Sequence, residues 1–228
     1  MKIIVSILMI LATVLIYWLM VKLYNKIHIP LLVPIATSTF VIISLLITFH
    51  ISYHTYMYGG KWIDELLGPA VVALAFPLYK HRSTLKKYAV SIVLSVVVGT
   101  IIGLCSGIMM AVLLGIDKEL ILSLAPKSVT SPVAMDITDI IGGNPTLAAV
   151  YVMIAGIFGA MFGPYLLKLL RIHHPIAIGI GYGTASHGIG TAKAAEYGSL
   201  EGAIGSISMT LSAIFASIIC PYVVQLFL

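Results

Sequence analysis

The stretch ELILSLAPKSVTSPVAMDITDIIGG, residues 119–143, decides the fold. Its ends are apolar, as in a membrane segment. Its middle is interrupted by Pro126, Lys127, Ser128, Thr130, Ser131 and Pro132, and Asp136 and Asp139 follow. Broken backbone at membrane depth is tolerated only where protein buries it or water reaches it. A second stretch, PIAIGIGYGTASHGIGTAKAAEYG at 175–198, repeats the order: apolar, then polar and glycine-rich, then charged at Lys193 and Glu196. An unbroken apolar run precedes each stretch, Tyr88–Leu114 for the first and Thr146–Leu170 for the second.

The rest of the chain agrees with a bilayer setting. Of 228 residues, 60% are hydrophobic and 9% are Asp, Glu, Lys or Arg. Soluble domains carry about 25% charged residues. Three further apolar runs, Ile3–Leu23, Leu31–Ile51 and Leu200–Leu228, are long enough to span, and Leu66–Tyr79 is a shorter one. The expected fold is therefore an all-α polytopic membrane protein, with about six full spans and two broken or re-entrant segments. We read residues 1–228 as one transmembrane domain, in which 1–64 form two scaffold spans and 65–228 a transport-like core. The segment 52–65, rich in Tyr and Trp, reads as an interfacial loop.

The net charge of +5 comes from short basic clusters between the apolar runs, which is the positive-inside pattern rather than a nucleic-acid footprint. The densest cluster, KHRSTLKK at 80–87, belongs on the cytoplasmic side, with Lys22, Lys26, Lys168 and Arg171. Counting crossings from there makes 119–143 start and finish outside, and 175–198 start and finish inside. The two halves then form an inverted repeat. Faint likeness of SVTSP at 128–132 to TASHG at 184–188 accompanies it. Paired interrupted segments in inverted halves point to a transporter site near the midplane.

The two breaks supply the candidate site. A Lys within a membrane segment costs roughly 3 kcal/mol on insertion scales, so Lys127 needs a partner: Asp136, Glu196 or a bound anion. The bland alternative is a Lys that snorkels to the outer interface. Ser128, Thr130, Ser131, Ser186 and Thr191 can hydrogen-bond a carboxylate. Gly188 allows close backbone approach, and His187 can bind substrate or take a proton. The alternative for His187 is a neutral ring bonded for packing. Asp136, Lys193 and Glu196 are candidate proton or charge partners, while Asp139 suits the outer interface. Gly99–Gly103 and Gly156–Gly163 are small-residue surfaces suited to helix packing. An intramembrane enzyme needs a nucleophile–base pair or a carboxylate dyad. The sequence presents neither, so we expect no enzyme activity, cofactor or metal site.

Several of these motifs carry a family resemblance. PLYK at 77–80, SVTSPVAMDI at 128–137 with IGG at 141–143, and GTASHGIGTAKAAE at 183–196 resemble the LrgB/CidB family from Pro34 to the C-terminus. YMYGGKWI at 56–63 is most similar to its CidB branch, and Asp136 stands where other members often have Glu. The resemblance implies two descriptions. One is an antiholin-like protein that works beside a small LrgA/CidA-type holin-like membrane partner and modulates murein hydrolase activity, lysis and programmed cell death. The other is carboxylate transport, as in plastidal glycolate/glycerate carriers and bacterial pyruvate uptake. The residues favour the second: a carrier for a pyruvate-, lactate- or glycolate-like monocarboxylate, proton-coupled, with lysis phenotypes following from carboxylate metabolism. The expected setting is the bacterial cell membrane, and the expected assembly a homodimer.

Overall fold

The computed structural model describes every residue except Met1, His28, Pro30, Leu31 and Leu74. All regular structure among the described residues is helical. Among the described residues, five runs are long and apolar enough to cross a membrane: Lys2–Ile27, Tyr53–Lys80, Ala89–Leu113, Pro145–Leu169 and Ser199–Phe227. The expected span over Leu31–Ile51 is the shorter apolar helix Pro34–Thr48. Its 15 residues reach about 22 Å, less than a hydrocarbon core of about 30 Å. The chain divides into two compact units, Met1–Ala73 and Leu74–Leu228.

The first unit holds α1 (Lys2–Ile27), α2 (Pro34–Thr48), α3 (Tyr53–Glu65) and α4 (Leu67–Ala73). The expected loop at 52–65 is thus a helix. Ser52 caps it by accepting from Thr55 N–H at 3.2 Å. Gly59 lets it lie against α1: a Cβ there would collide with the backbone at Ser6 and with Met9. The Thr13 and Tyr56 hydroxyls bond across the same contact at 3.1 Å.

The second unit holds α5 (Ala75–Lys80), α6 (Arg82–Lys87), α7 (Ala89–Leu113), α8 (Lys118–Leu124), α9 (Ser131–Ile141), α10 (Pro145–Leu169), α11 (Pro175–Tyr197) and α12 (Ser199–Phe227). The basic cluster 80–87 ends α5 and forms α6. Outward faces remain apolar, with Leu94, Ile102, Phe158 and Ile218 all more than half exposed. Such a surface is stable in lipid and not in water.

The segment 118–143 is a re-entrant hairpin. Asn144 N–H donates to Ser123 Oγ at 2.8 Å, and a Cβ on Gly143 would press on Leu122 and Ser123. The chain therefore returns to the side it entered from. Gly142, at φ 81°, ends α9 in the left-handed conformation that glycine adopts freely. Asn144 then caps α10 through Thr146 N–H and Leu147 N–H.

Helix α11 is a second hairpin. Ser186 and His187 leave helical geometry, which splits it into arms 175–185 and 188–197. A Cβ on Gly190 would collide with the Tyr182 carbonyl oxygen. Residues eight apart in one straight helix are about 12 Å apart, so the arms fold back on each other. Both lie along α12: Gly179 and Gly183 meet Ile204 and Ser208, while Ala195 meets Gly202. The hairpin begins and ends at the basic face. Tyr88 stacks edge-on to His174, and His81 Nε2 shares a 2.9 Å hydrogen bond with Ser199 Oγ.

The halves repeat with an offset of 56 residues. Helix α7 maps onto α10 at both ends (89 to 145, 113 to 169), and the end of α9 at 141 maps onto the end of α11 at 197. Because the first hairpin returns to its own side, α10 runs opposite to α7.

Candidate functional site

Each hairpin tip is seated on glycines of the long helix before it. In the first half, Gly103 of α7 faces Ser128, and Gly107 lies under the Lys127 ammonium. In the second, Gly156, Gly159 and Gly163 of α10 face His187, Ser186 and Tyr182. The offset of 56 maps Gly103 and Gly107 onto Gly159 and Gly163. These stripes, which read as helix-packing surfaces, receive the chain's own hairpins.

The two tips meet on one face of α7. Gly99 touches the Thr184 methyl of the second hairpin, and Gly103 one turn on faces Ser128 of the first. Four residues of helix rise about 6 Å. Both glycines straddle the midpoint of α7, so the tips converge near mid-membrane depth.

Lys127 Nζ donates to the Gly103 carbonyl at 3.2 Å. This differs from the carboxylate partner expected for it. Asp136 is exposed on α9, about 8 Å of helix from Ser131, and Glu196 is taken by Lys193 at 2.5 Å. The ammonium is thus held by a neutral carbonyl, and its charge remains available to an anion. Gly107→Ala would put a Cβ into Nζ, the flexible end of the side chain. The expected outcome is a displaced ammonium and weakened binding of small carboxylate anions with little change in melting temperature, checked by binding and thermal unfolding on one preparation.

His187 is 4% exposed, with φ 42° and ψ −130°. A non-glycine residue there carries backbone strain of roughly 1–3 kcal/mol. Its Nε2 lies 2.9 Å from the Val152 carbonyl, which only accepts, so Nε2 carries the hydrogen. Nδ1 is then the nitrogen able to take a proton. Ser186 and Thr191 are buried, Thr191 beside Met209 and Gly205. Gly188 is exposed, with only Met209 Sδ near the position of a Cβ.

Two helix N-termini open at the tips. Thr130 caps α9 without a side-chain bond, and Pro132 lacks an N–H, so Ser131 and Val133 present the first-turn donors. The arm 188–197 begins at Gly188. Such ends favour anions. Of the expected charge partners, none sits at a tip. Asp136 faces outward, and Lys193 with Glu196 lies about 9 Å of helix further toward the basic face. An apolar cleft of about 450 Å³ runs between α10 and the arm 175–185, with Phe158, Phe162 and Leu166 on one wall and Ser186 at its edge. It offers too few polar groups to hold a carboxylate.

Sequence reading missed Thr100, Thr184, Ser208 and Ser212. Thr100 and Ser212 share a buried 3.0 Å hydrogen bond between α7 and α12, and Ser208 lies one turn before Ser212. Thr184 opens the TASHG motif, yet the motif alone gives it no role; Thr100, Ser208 and Ser212 lie on unbroken apolar helices, where hydroxyls interrupt no pattern, and the spacing of four on α12 is the one signal for the last two.

The LrgB-like family matches residues 13–226. The uncharacterized protein YxaC of Bacillus subtilis (strain 168) is 49% identical over 223 residues, 98% of this chain and 97% of its own. The Holin-like protein CidB of Staphylococcus epidermidis (strain ATCC 12228 / FDA PCI 1200) is 36% identical, and that of Staphylococcus aureus (strain N315) 37%, each over 97% of both chains. No solved structure matches.

Proposed function

The chain belongs to the LrgB-like family of membrane proteins, and we propose that it is a secondary carrier of small monocarboxylates of the pyruvate, lactate or glycolate kind. The observation that carries this reading is the convergence of two hairpin tips on Gly99 and Gly103 of α7. The substrate carboxylate lies between them. Lys127 and the N–H groups at Ser131, Val133 and Gly188 attract its charge. Ser128, Thr130, Ser131, Ser186 and Thr191 hydrogen-bond it. His187 takes the coupled proton at Nδ1 and, once protonated there, donates to the carboxylate. Movement of the hairpins along the glycine stripes exposes the site alternately to either side. Asp136, Lys193 and Glu196 act at the mouths, where charge draws ions in. A second copy of the chain and a small holin-like membrane protein are the partners proposed for it.

A second reading rests on the relatives named holin-like, which cover 97% of both chains. Under it the protein is a holin- or antiholin-type scaffold that controls murein hydrolase activity and cell death. The two readings differ in what the tips must do: a scaffold tolerates charge there and a carrier does not.

Gly188 separates them. Its surroundings admit a Cβ, so Gly188→Ala and Gly188→Asp should both fold. Uptake of labelled pyruvate into proteoliposomes should persist in the alanine variant. In the aspartate variant it should fall by roughly 10–100-fold, the effect of about 1.5–3 kcal/mol against an anion. Wild-type uptake by Gly188→Asp would remove the carboxylate from this site.

A further inference from the structure

The hydroxyls that sequence reading passed over form a group of their own. Thr184, at the end of the arm 175–185, rests its methyl on Gly99 of α7. Thr100, the next residue on α7, bonds Ser212 of α12. Ser208, one turn earlier on α12, lies against Gly183, the neighbour of Thr184. Three elements thus bring these four residues into one neighbourhood beside the break. All are buried: Thr100 is 5% exposed, Thr184 6%, Ser208 0% and Ser212 1%.

Two of the four have no hydrogen-bond partner. Thr184 Oγ1 and Ser208 Oγ are buried and unsatisfied. This is not for want of the usual solution. A helical Ser or Thr can return its hydrogen to the carbonyl four residues back. On α12 itself, Ser206, Thr210 and Ser217 do so at 2.9, 3.0 and 2.8 Å. Ser208 and Ser212 do not. An unmade hydrogen bond on a buried hydroxyl is costly, and a native structure that keeps two of them together has a use for the oxygens.

The backbone at this point fixes which charge the oxygens serve. Residues 182–185 end a half-helix at the kink of Ser186 and His187, and the end of that half-helix carries the negative end of its dipole. Hydroxyl and carbonyl oxygens at the C-terminal end of a broken helix suit a hard cation. The absence of a carboxylate among the described residues of this group favours a monovalent one. Lys127 is seated further along α7 at Gly103 and Gly107, and the neutral His187 ring lies against Gly156. Lys127 would repel a cation unless an anion lay between.

We propose that Thr100, Thr184, Ser208 and Ser212, with carbonyls of 182–185, bind a sodium-sized alkali cation whose charge is balanced by the carboxylate at the hairpin tips. This extends the carrier reading by adding a coupling ion to the same site. Cation and carboxylate then bind cooperatively, each strengthening the other by the same factor.

The test is binding of radiolabelled sodium to the purified full chain in detergent, with choline as the replacement ion, with and without pyruvate. Saturable binding to the wild type is expected, tightened by pyruvate. Thr184→Val and Ser208→Ala should each weaken it about tenfold, the loss of one ligand oxygen. Thr184→Ser, which keeps the hydroxyl, should restore it, separating ligand loss from misfolding. No saturable sodium binding to the wild type in either condition overturns the proposal. So does unchanged binding in both hydroxyl-free variants. Pyruvate uptake that runs fully in sodium-free proteoliposomes would sink the cation and leave the carrier standing. Sodium binding with no pyruvate effect and no uptake under any gradient would sink the carrier reading and the coupling with it.

Discussion

Gly190→Ala is expected to give a protein that reaches the membrane but loses transport, with a melting temperature lower by roughly 5–10 °C. A Cβ at residue 190 meets the Tyr182 carbonyl oxygen and carbon, and Ser186 Cβ as well. Two of these atoms are backbone of the opposite arm, which cannot swing aside like a side-chain end. The arms must separate, and overpacking of this kind costs about 2–3 kcal/mol. For a chain of this length that corresponds to the stated shift on the soluble-domain scale. Separation also lifts Thr184 from Gly99 and Ser186 from Gly159, so the tip is lost as a unit. Gly181, which has nothing near its Cβ position, is the control. Gly181→Ala should melt with the wild type, as measured by thermal unfolding in detergent. Equal melting of the two variants would remove the hairpin from the account.

The second large effect belongs to the two basic side chains at the tips. Lys127→Met keeps the length that fills the space beside Gly103 and Gly107 but removes the charge. Pyruvate KM should rise roughly 10–100-fold, the value of a charge-assisted contact. His187 has a structural signature of its own. Its φ of 42° strains any residue with a Cβ, and the ring's bond to the Val152 carbonyl offsets that strain. His187→Ala keeps the strain and loses the bond. His187→Gly loses both. The glycine variant should therefore be the more stable by about 1 kcal/mol, against the usual order for a helical segment. Both should be inactive in uptake. Restoration of transport by either one would make the imidazole a packing group.

Part of this was open to reading in the chain. The two hairpins announce themselves because proline, lysine and paired hydroxyls at 126–132, and glycines with histidine at 181–190, interrupt otherwise apolar runs. The inversion follows from the basic residues at 80–87, 168 and 171. What escaped has a common cause: it depends on partners that leave no mark in the sequence. The carbonyl of Gly103 that holds Lys127 is backbone, and every residue has one. The residues 52–65 look like a loop because their Tyr and Trp side chains suit the membrane interface. They are helical because Gly59 fits against α1 at Ser6 and Met9. Gly99, Gly103, Gly156, Gly159 and Gly163 read only as helix-packing surfaces, because the spacing of small residues says that something packs closely and not what does. The hydroxyls of Thr100, Ser208 and Ser212 are diluted in spans of strong hydropathy.

A carrier and a holin-type pore are told apart most directly by counterflow. Proteoliposomes holding this chain alone would be loaded with unlabelled pyruvate and diluted into a trace of labelled pyruvate, with a proton gradient and a sodium gradient imposed in turn. A carrier gives transient accumulation of label above equilibrium, saturable in pyruvate and lost in Lys127→Met. Label that only equilibrates, without saturation and alongside unrelated solutes of similar size, would contradict it and leave a pore.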